Sequence, residues 1–293
     1  MELVTKITAP NPGIFTGGGT NTYLIGREDV TLVDPGPNIS EHIDEIINTA
    51  DGKIKRILVT HTHTDHSPAA LPLSKLLDVP MYGRLVDGES SWEDETFIPD
   101  IVLSDKDILE TEECTIEVIH TPGHASNHLC FLIRDIKCLL TGDHIMDGST
   151  VVIGPPDGNM TSYINSLEKL SNFEIDYFAP GHGNYIYEPK KTVQSIIRHR
   201  LSREGKVLRK LEEEGKASLD ALTKLVYDDV SEQLHPIAKF SLEAHLIKLI
   251  DEKKAKKDEA MKIYAQVQKI MAPDVEPEKV VKDPNESIFY TSG

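Results

Sequence analysis

The sequence predicts a layered α/β domain followed by a small helical or winged-helix unit, and three observations carry that expectation. Short apolar runs of strand length alternate with amphipathic helical stretches up to about residue 190. Four of those runs end in a turn that delivers His or Asp, which is how an α/β fold builds a site from several strand ends. From Pro189 onward the pattern becomes almost purely helical.

Taken in order, residues 1–25 read as short strands around the turn Gly17-Gly18-Gly19. No G-x-G-x-x-G opens a helix there and no P-loop lysine follows, so the glycines suit a hairpin or a loop close to a ligand. Val30–Val33 is a strand ending at Asp34-Pro35-Gly36-Pro37, where Asp34 is read first as a turn former and second as a support for a site. Ser40 is placed to cap a helix over 41–49 with Ile43, Ile46 and Ile47 on one face. Ile57–Thr60 is the next strand, and a helix opened by Ser67-Pro68 buries Leu71, Leu73, Leu76 and Leu77. Short strands and loops fill 79–113, where Trp92 either lines a pocket or covers the core.

Thr115–Ile119 and Leu129–Ile133 are strands, as is Cys138–Thr141. After Ser162 a helix aligns Tyr163, Ile164, Leu167 and Leu170, and Asp176–Ala179 is the last strand of the series. A long helix runs from Thr192 to Glu214, with Val193, Ile196, Ile197, Leu201, Val207, Leu208 and Leu211 as its apolar positions, and Gly215 stops it. Two further helices cover Ser218–Tyr227 and Ile237–Lys254. The expected domains are therefore a catalytic unit over 1–190, a winged-helix-like unit over 191–258 and an extended tail over 259–293.

Composition narrows the function. The formal charge of −17 disfavours general binding of polyanions. No run reaches the roughly 18 apolar residues of a membrane helix, and Met1–Lys6 shows no secretory pattern. Cys114, Cys130 and Cys138 lack Cys-x-x-Cys spacing and read as small buried side chains, so a reducing, cytoplasmic setting is expected.

The chemistry begins at His61-Thr62-His63-Thr64-Asp65-His66. Imidazole and carboxylate are the donors that hold zinc or iron where water must also bind. His61 and His63 lie two apart and share a side of an extended chain. His124, Asp143 and His182 follow at three later strand ends, and this recurrence sets aside a merely His-rich polar loop. The expected set places His61, His63 and His124 on one metal and Asp65, His66 and His182 on the other, with Asp143 bridging. Two Zn2+ are expected, with Mn2+ or Fe as alternatives. A hydroxide shared by the metals attacks a carbonyl or phosphorus centre, and Asp65 orients it or takes its proton. His144 is a proton donor, a support for the ligands or a plain loop residue. His128 is a support or structural, and His42, His120, His199, His235 and His245 are not read as ligands. No substrate-binding residue is legible.

On this set the chain resembles the metallo-β-lactamase superfamily over residues 1 to about 190. The resemblance implies an αββα sandwich with the dinuclear site at one edge of its two sheets. An aspartate at Asp143, in place of the cysteine of many lactam-cleaving members, implies that antibiotic hydrolysis is not the main activity. Asn11-Pro12-Gly13, Gly19–Leu24, Asp34–Pro37, Gly148–Val151, Leu234–Lys239 and His245-Leu246-x-Lys248-Leu249 resemble the β-lactamase-like protein 2 group. That group carries a winged-helix domain. It includes a eukaryotic member similar to a single-strand endoribonuclease and bacterial members labelled glyoxalase-II-like hydrolases. This chain departs in having His144 after Asp143 and a longer acidic tail.

Four functions compete. A dinuclear hydrolase of a small ester, thioester or lactone comes first, and a metal-dependent endoribonuclease second. The third is a mononuclear iron oxygenase using His61, His63 or His124 with Asp143, and the fourth a non-catalytic RNA- or protein-binding module, which the complete ligand set disfavours. Arg198, Arg200, Arg203, Lys206, Arg209 and Lys210 would have to form an RNA-binding face, but Glu204, Glu212, Glu213 and Glu214 on the same helix favour a solvated surface. The substrate is expected to be a small molecule, with RNA as the alternative and no membrane partner; the oligomeric state is not legible.

Overall fold

The computed structural model describes residues 3–88, 90, 92–258 and 289–292. Its contacts divide the chain into two compact units, one of residues 1–151 and 156–196, the other of 152–155 and 197–293.

The first unit is built on two sheets. One contains β1 (Val4–Thr8), β2 (Asn21–Ile25), β3 (Val30–Val33), β4 (Ile54–Leu58), β5 (Met81–Gly83) and β6 (Ile101–Val102), hydrogen-bonded in that order. The other runs β11-β10-β9-β8-β7, from β7 (Ile108–Glu110), β8 (Thr115–His120), β9 (Leu129–Ile133), β10 (Cys138–Gly142) and β11 (Tyr177–Pro180). Period-two alternation sorts the side chains between layers. Val33 and Leu58 enter the core that holds Phe131 and Leu140, whereas their neighbours Leu32 and Ile57 pack with the helix residues Ile46 and Leu73. The helices are α1 (Ser40–Ala50), α2 (Ala70–Leu77) and α3 (Met160–Leu170). This is the αββα arrangement.

Several local expectations need correction. Ser40 is not the cap of α1: the N-cap is Ile39, with no side-chain hydrogen bond, and Ser40 is already helical. Leu76 is 66% exposed, because α2 is only two turns long and turns that position outward. α3 begins at Met160, before Ser162, since the Asn159 side chain accepts the Ser162 N–H. β4 stops at Leu58, so the His cluster lies wholly in the loop beyond it.

The second unit contains the latter part of α4 (Pro189–Glu214), α5 (Leu219–Val226) and α6 (His235–Asp251). A three-stranded sheet completes it, with β14 (Phe289–Ser292) between β12 (Lys216–Ser218) and β13 (Ala255–Asp258). Val207, Leu222, Leu242, Leu246 and Tyr290 share its core. Helices with a small sheet of this kind form a winged helix. Leu201, read as apolar-facing, is 47% exposed. The expected tail lies outside the described residues from 259 to 288; beyond that, β14 pairs on both sides and puts Tyr290 in the core.

Candidate metal centre

All seven expected donors converge where β4, β8, β10 and β11 end. His61 Nε2 lies 3.1 Å from His63 Nδ1, and His124 Nε2 lies 3.1 Å from the same atom. A second group surrounds His66 Nε2 and His182 Nε2. Asp65 Oδ2 is 3.4 and 3.2 Å from them, and Asp143 Oδ1 is 3.4 and 3.3 Å away. Asp143 Oδ2 turns the other way and stands 3.7 Å from His124 Nε2.

These spacings test whether metals fit. A tetrahedral centre with metal–nitrogen bonds of about 2.0–2.1 Å has donor–donor edges of about 3.3–3.4 Å. Both groups come close to that value, and Asp143 gives one oxygen to each. His66 Nε2, His182 Nε2 and Asp143 Oδ1 are buried and take no hydrogen bond among the described residues. Burying such atoms is costly unless something satisfies them.

The electrostatics also call for cations. Burial drives His61 far below its ordinary value, and burial with the neighbouring His124 lowers His63 to about 3, leaving neutral imidazoles with lone pairs to give. Burial would also lower His66 and His182, but Asp65 and Asp143 outweigh it, raising His66 strongly and His182 to about 10. Burial raises the two carboxyls, yet the same histidines win and hold Asp65 at about 2 and Asp143 well below its usual range.

His66 and His182 are held from behind, as metal-ligating histidines usually are. Asp34 Oδ2 lies 2.9 Å from His66 Nδ1, and the same carboxylate accepts from the Thr60 N–H at 2.7 Å and the Thr60 hydroxyl at 2.7 Å. Asp34 is thus a support for the site rather than first a turn former. His182 Nδ1 is 3.1 Å from the Gly19 carbonyl, and the Thr20 hydroxyl donates to Asp65 Oδ2 at 3.1 Å. The triple-glycine loop therefore serves the site through its backbone. A Cβ on Gly19 would lie 2.0 Å from the Ala9 carbonyl oxygen, at φ +135.

His128 Nε2 accepts the Asp143 N–H at 3.1 Å, which puts the ring proton on Nδ1, 2.9 Å from Thr121 Oγ1. His144 is fully buried and stacks edge-on against Tyr163, with ring centroids 5.1 Å apart. Burial lowers it to about 3. His42 contacts Thr22 Oγ1, His120 the Ser126 carbonyl, and His235 the carbonyls of Tyr227 and Val230.

In the sequence Asp34 reads first as a turn former, and Thr20 and Glu93 do not stand out as parts of the site. A strand ending in Asp, next to the strand that carries the His cluster, was the available signal for Asp34. Nothing local marks Glu93, whose carboxylate faces His63 Nε2 at 3.6 Å from a distant loop.

Comparison with known proteins agrees with this architecture. Residues 15–182 match the metallo-beta-lactamase superfamily, and 218–266 match the beta-lactamase associated winged helix domain. The chain is 31% identical to a beta-lactamase-like protein 2 homolog of Drosophila melanogaster, covering 86% of this chain and 89% of that one. It is 32% identical to an atrochrysone carboxyl ACP thioesterase of Aspergillus chevalieri, over 72% of this chain and 66% of that one. Among solved structures, a beta-lactamase domain protein from Burkholderia ambifaria superposes with a TM-score of 0.77 at 18% identity, covering 99% of this chain and 91% of that one. Fold, donor set and family match agree: the chain belongs to the metallo-beta-lactamase superfamily, as a metallo-β-lactamase-fold hydrolase with an associated winged helix.

Proposed function

We propose that the chain hydrolyses a thioester of a small acid with two bound metals. The observation that carries this reading is Asp143, which offers Oδ1 to one donor group and Oδ2 to the other. His61, His63 and His124 would hold one ion, and Asp65, His66 and His182 the second. When bound, the ions supply a water that ionises near neutral pH and positive charge to polarise the carbonyl. Zn2+ suits these nitrogen and oxygen donors, and Mn2+ or Fe are the alternatives.

The remaining steps fall to the chain. Asp65 is the most accessible donor, its side chain 28% exposed against 0–12% for His66, His182, His124, His63 and Asp143. It therefore faces the entering water, orients it and takes its proton, while the Thr20 hydroxyl fixes Oδ2. Attack at the carbonyl carbon breaks the C–S bond, giving an acid that ionises to its carboxylate and a thiolate, and the proton held by Asp65 returns to the thiolate sulfur or to solvent. A thiol with a pKa near about 8.5 leaves without a strong general acid. This accords with His144, whose complete burial keeps it from the leaving group.

Relatives named as ACP thioesterases support the thioester over the ester and lactone. The second donor group counts against a single-iron oxygenase. The ribonuclease reading is weakened at α4, where Arg203 pairs with Asp229, Lys206 with Asp228, and Lys210 with Glu213. Three free buried cysteines suit a reducing, cytoplasmic setting; among the described residues no helix is long and apolar enough to cross a membrane.

The test is a parallel screen of thioester, lactone and single-stranded RNA probes with Zn2+, Mn2+ or Fe2+. We expect thiol release from the thioester, falling about 10²–10³-fold in His63→Ala and Asp143→Ala, the scale of losing a principal electrostatic contribution. Full activity in those variants would remove the two-metal reading. RNA cleavage without thioester turnover would move the chain to the nucleases.

A further inference from the structure

The loop that carries Glu93 is joined to the first donor group in two independent ways. Its backbone pairs with the cluster: Asp94 N–H donates to the Thr62 carbonyl at 2.6 Å, Thr64 N–H to the Trp92 carbonyl at 3.1 Å, and His63 and Glu93 stand opposite each other in a β-bridge. Register therefore places the Glu93 side chain beside His63.

A side-chain relay then orients it. Asn127 Nδ2 donates to the Arg84 carbonyl at 3.2 Å, an atom that only accepts, so the direction of this amide is determined. The same Nδ2 donates to Thr62 Oγ1 at 2.6 Å. Thr62 must then give its own proton elsewhere, and its hydroxyl donates to Glu93 Oε2. Glu93 Oε1 accepts from the Ser90 hydroxyl at 2.8 Å and faces His63 Nε2 at 3.6 Å. Both side chains are about nine-tenths buried, so this charge acts at short range in a medium that screens it poorly.

We infer that the Asn127–Thr62–Glu93 relay is a positioning device for His63. It holds the proton of that ring on Nε2 and leaves the Nδ1 lone pair for the ion shared with His61 and His124. Asn127 lies three residues beyond His124, so the relay also ties the loops of two of the three donors together. Thr62, between two histidines, has its own task on the opposite side of the chain. The inference rests on the two-metal reading but concerns one ion only. Asp34 plays the matching part for His66, at the other.

The full-length protein is loaded with Zn2+ and titrated with a chelator, and Co2+ substitution reports the ligand field by visible absorption. Glu93→Gln should weaken one of the two ions about 10–100-fold, the usual effect of losing such a partner, and should change the Co2+ spectrum of that site alone. Thr62→Val should act in the same direction, and Thr62→Ser should restore wild-type affinity. Glu95→Gln, an exposed change on the same loop, controls for the loop, and circular dichroism for folding. Two ions held at wild-type strength in Glu93→Gln and Thr62→Val would overturn the relay and leave the two-metal reading standing. Equal loss of both ions would also overturn it, by making the loop a general prop. A wild-type chain that binds no metal would remove both.

Discussion

Asp34 has a backbone φ of 49 at the end of β3, a conformation that Asp tolerates better than most residues. The bend turns its carboxylate back onto Thr60 and His66. Asp34→Asn keeps the shape but removes the charge behind His66, so metal affinity should fall about 10–100-fold, measured by chelator competition. Gly181 shows the opposite demand, for an absent side chain. A Cβ there would lie 2.7 Å from Asp143 Oδ1 and 2.8 Å from His66 Cε1. Gly181→Ala should therefore displace the Asp143 carboxylate and cut the proposed thioester turnover at least about 10-fold, roughly 1.4 kcal/mol in the barrier, while circular dichroism stays native. The donors were legible as residue types because few sequences place so many imidazoles at strand ends. Their supports were not, because Asp34 and Glu93 act across 26 to 32 positions of chain and look like ordinary loop acids.

Among the elements, long periodic stretches are legible in the sequence and short ones are not. β8 announces itself by alternation, β9 by an unbroken apolar run and the long helix α4 by 3.6-residue spacing. β12, β13 and β14 have three or four residues each and gain stability only by pairing, two of them with a strand far along the chain. In the winged helix, α4 and α6 are joined by a buried ion pair. Lys248 Nζ lies 2.8 Å from Glu204 Oε1, both side chains are about 10% exposed, and His245 stands 3.5 Å from the other oxygen. Burial would raise Glu204, but His245 and Lys248 outweigh it and hold the carboxyl below its ordinary 4.5. Its contribution to stability is then complete above about pH 4.5 and lost as pH falls through the lowered folded value. Lys248→Met strands the carboxylate and should cost about 3 kcal/mol, as broken buried pairs do. Urea midpoints should show that cost at pH 7, and a shallower fall below pH 4.5 than in the wild type.

For the whole molecule, the site is a thermodynamic element as well as a chemical one. Its donors come from residues 61 to 182, so ions that bind only the assembled set stabilise the folded chain. Chelation should lower the melting temperature and Zn2+ should restore it; each ion present at about 1,000 times its Kd is worth about 4 kcal/mol. An unchanged melting temperature would mean that the donors hold no metal. By itself the sequence determined the α/β layering and the helical second part and singled out seven candidate donors, because apolar period and donor chemistry are local properties written along the chain. Only the tertiary structure decided that Asp143 faces two ways, that Asp34 and Glu93 stand behind His66 and His63, and that the last described strand closes the wing. Those facts depend on which strand ends meet, and a sequence period carries no information about that.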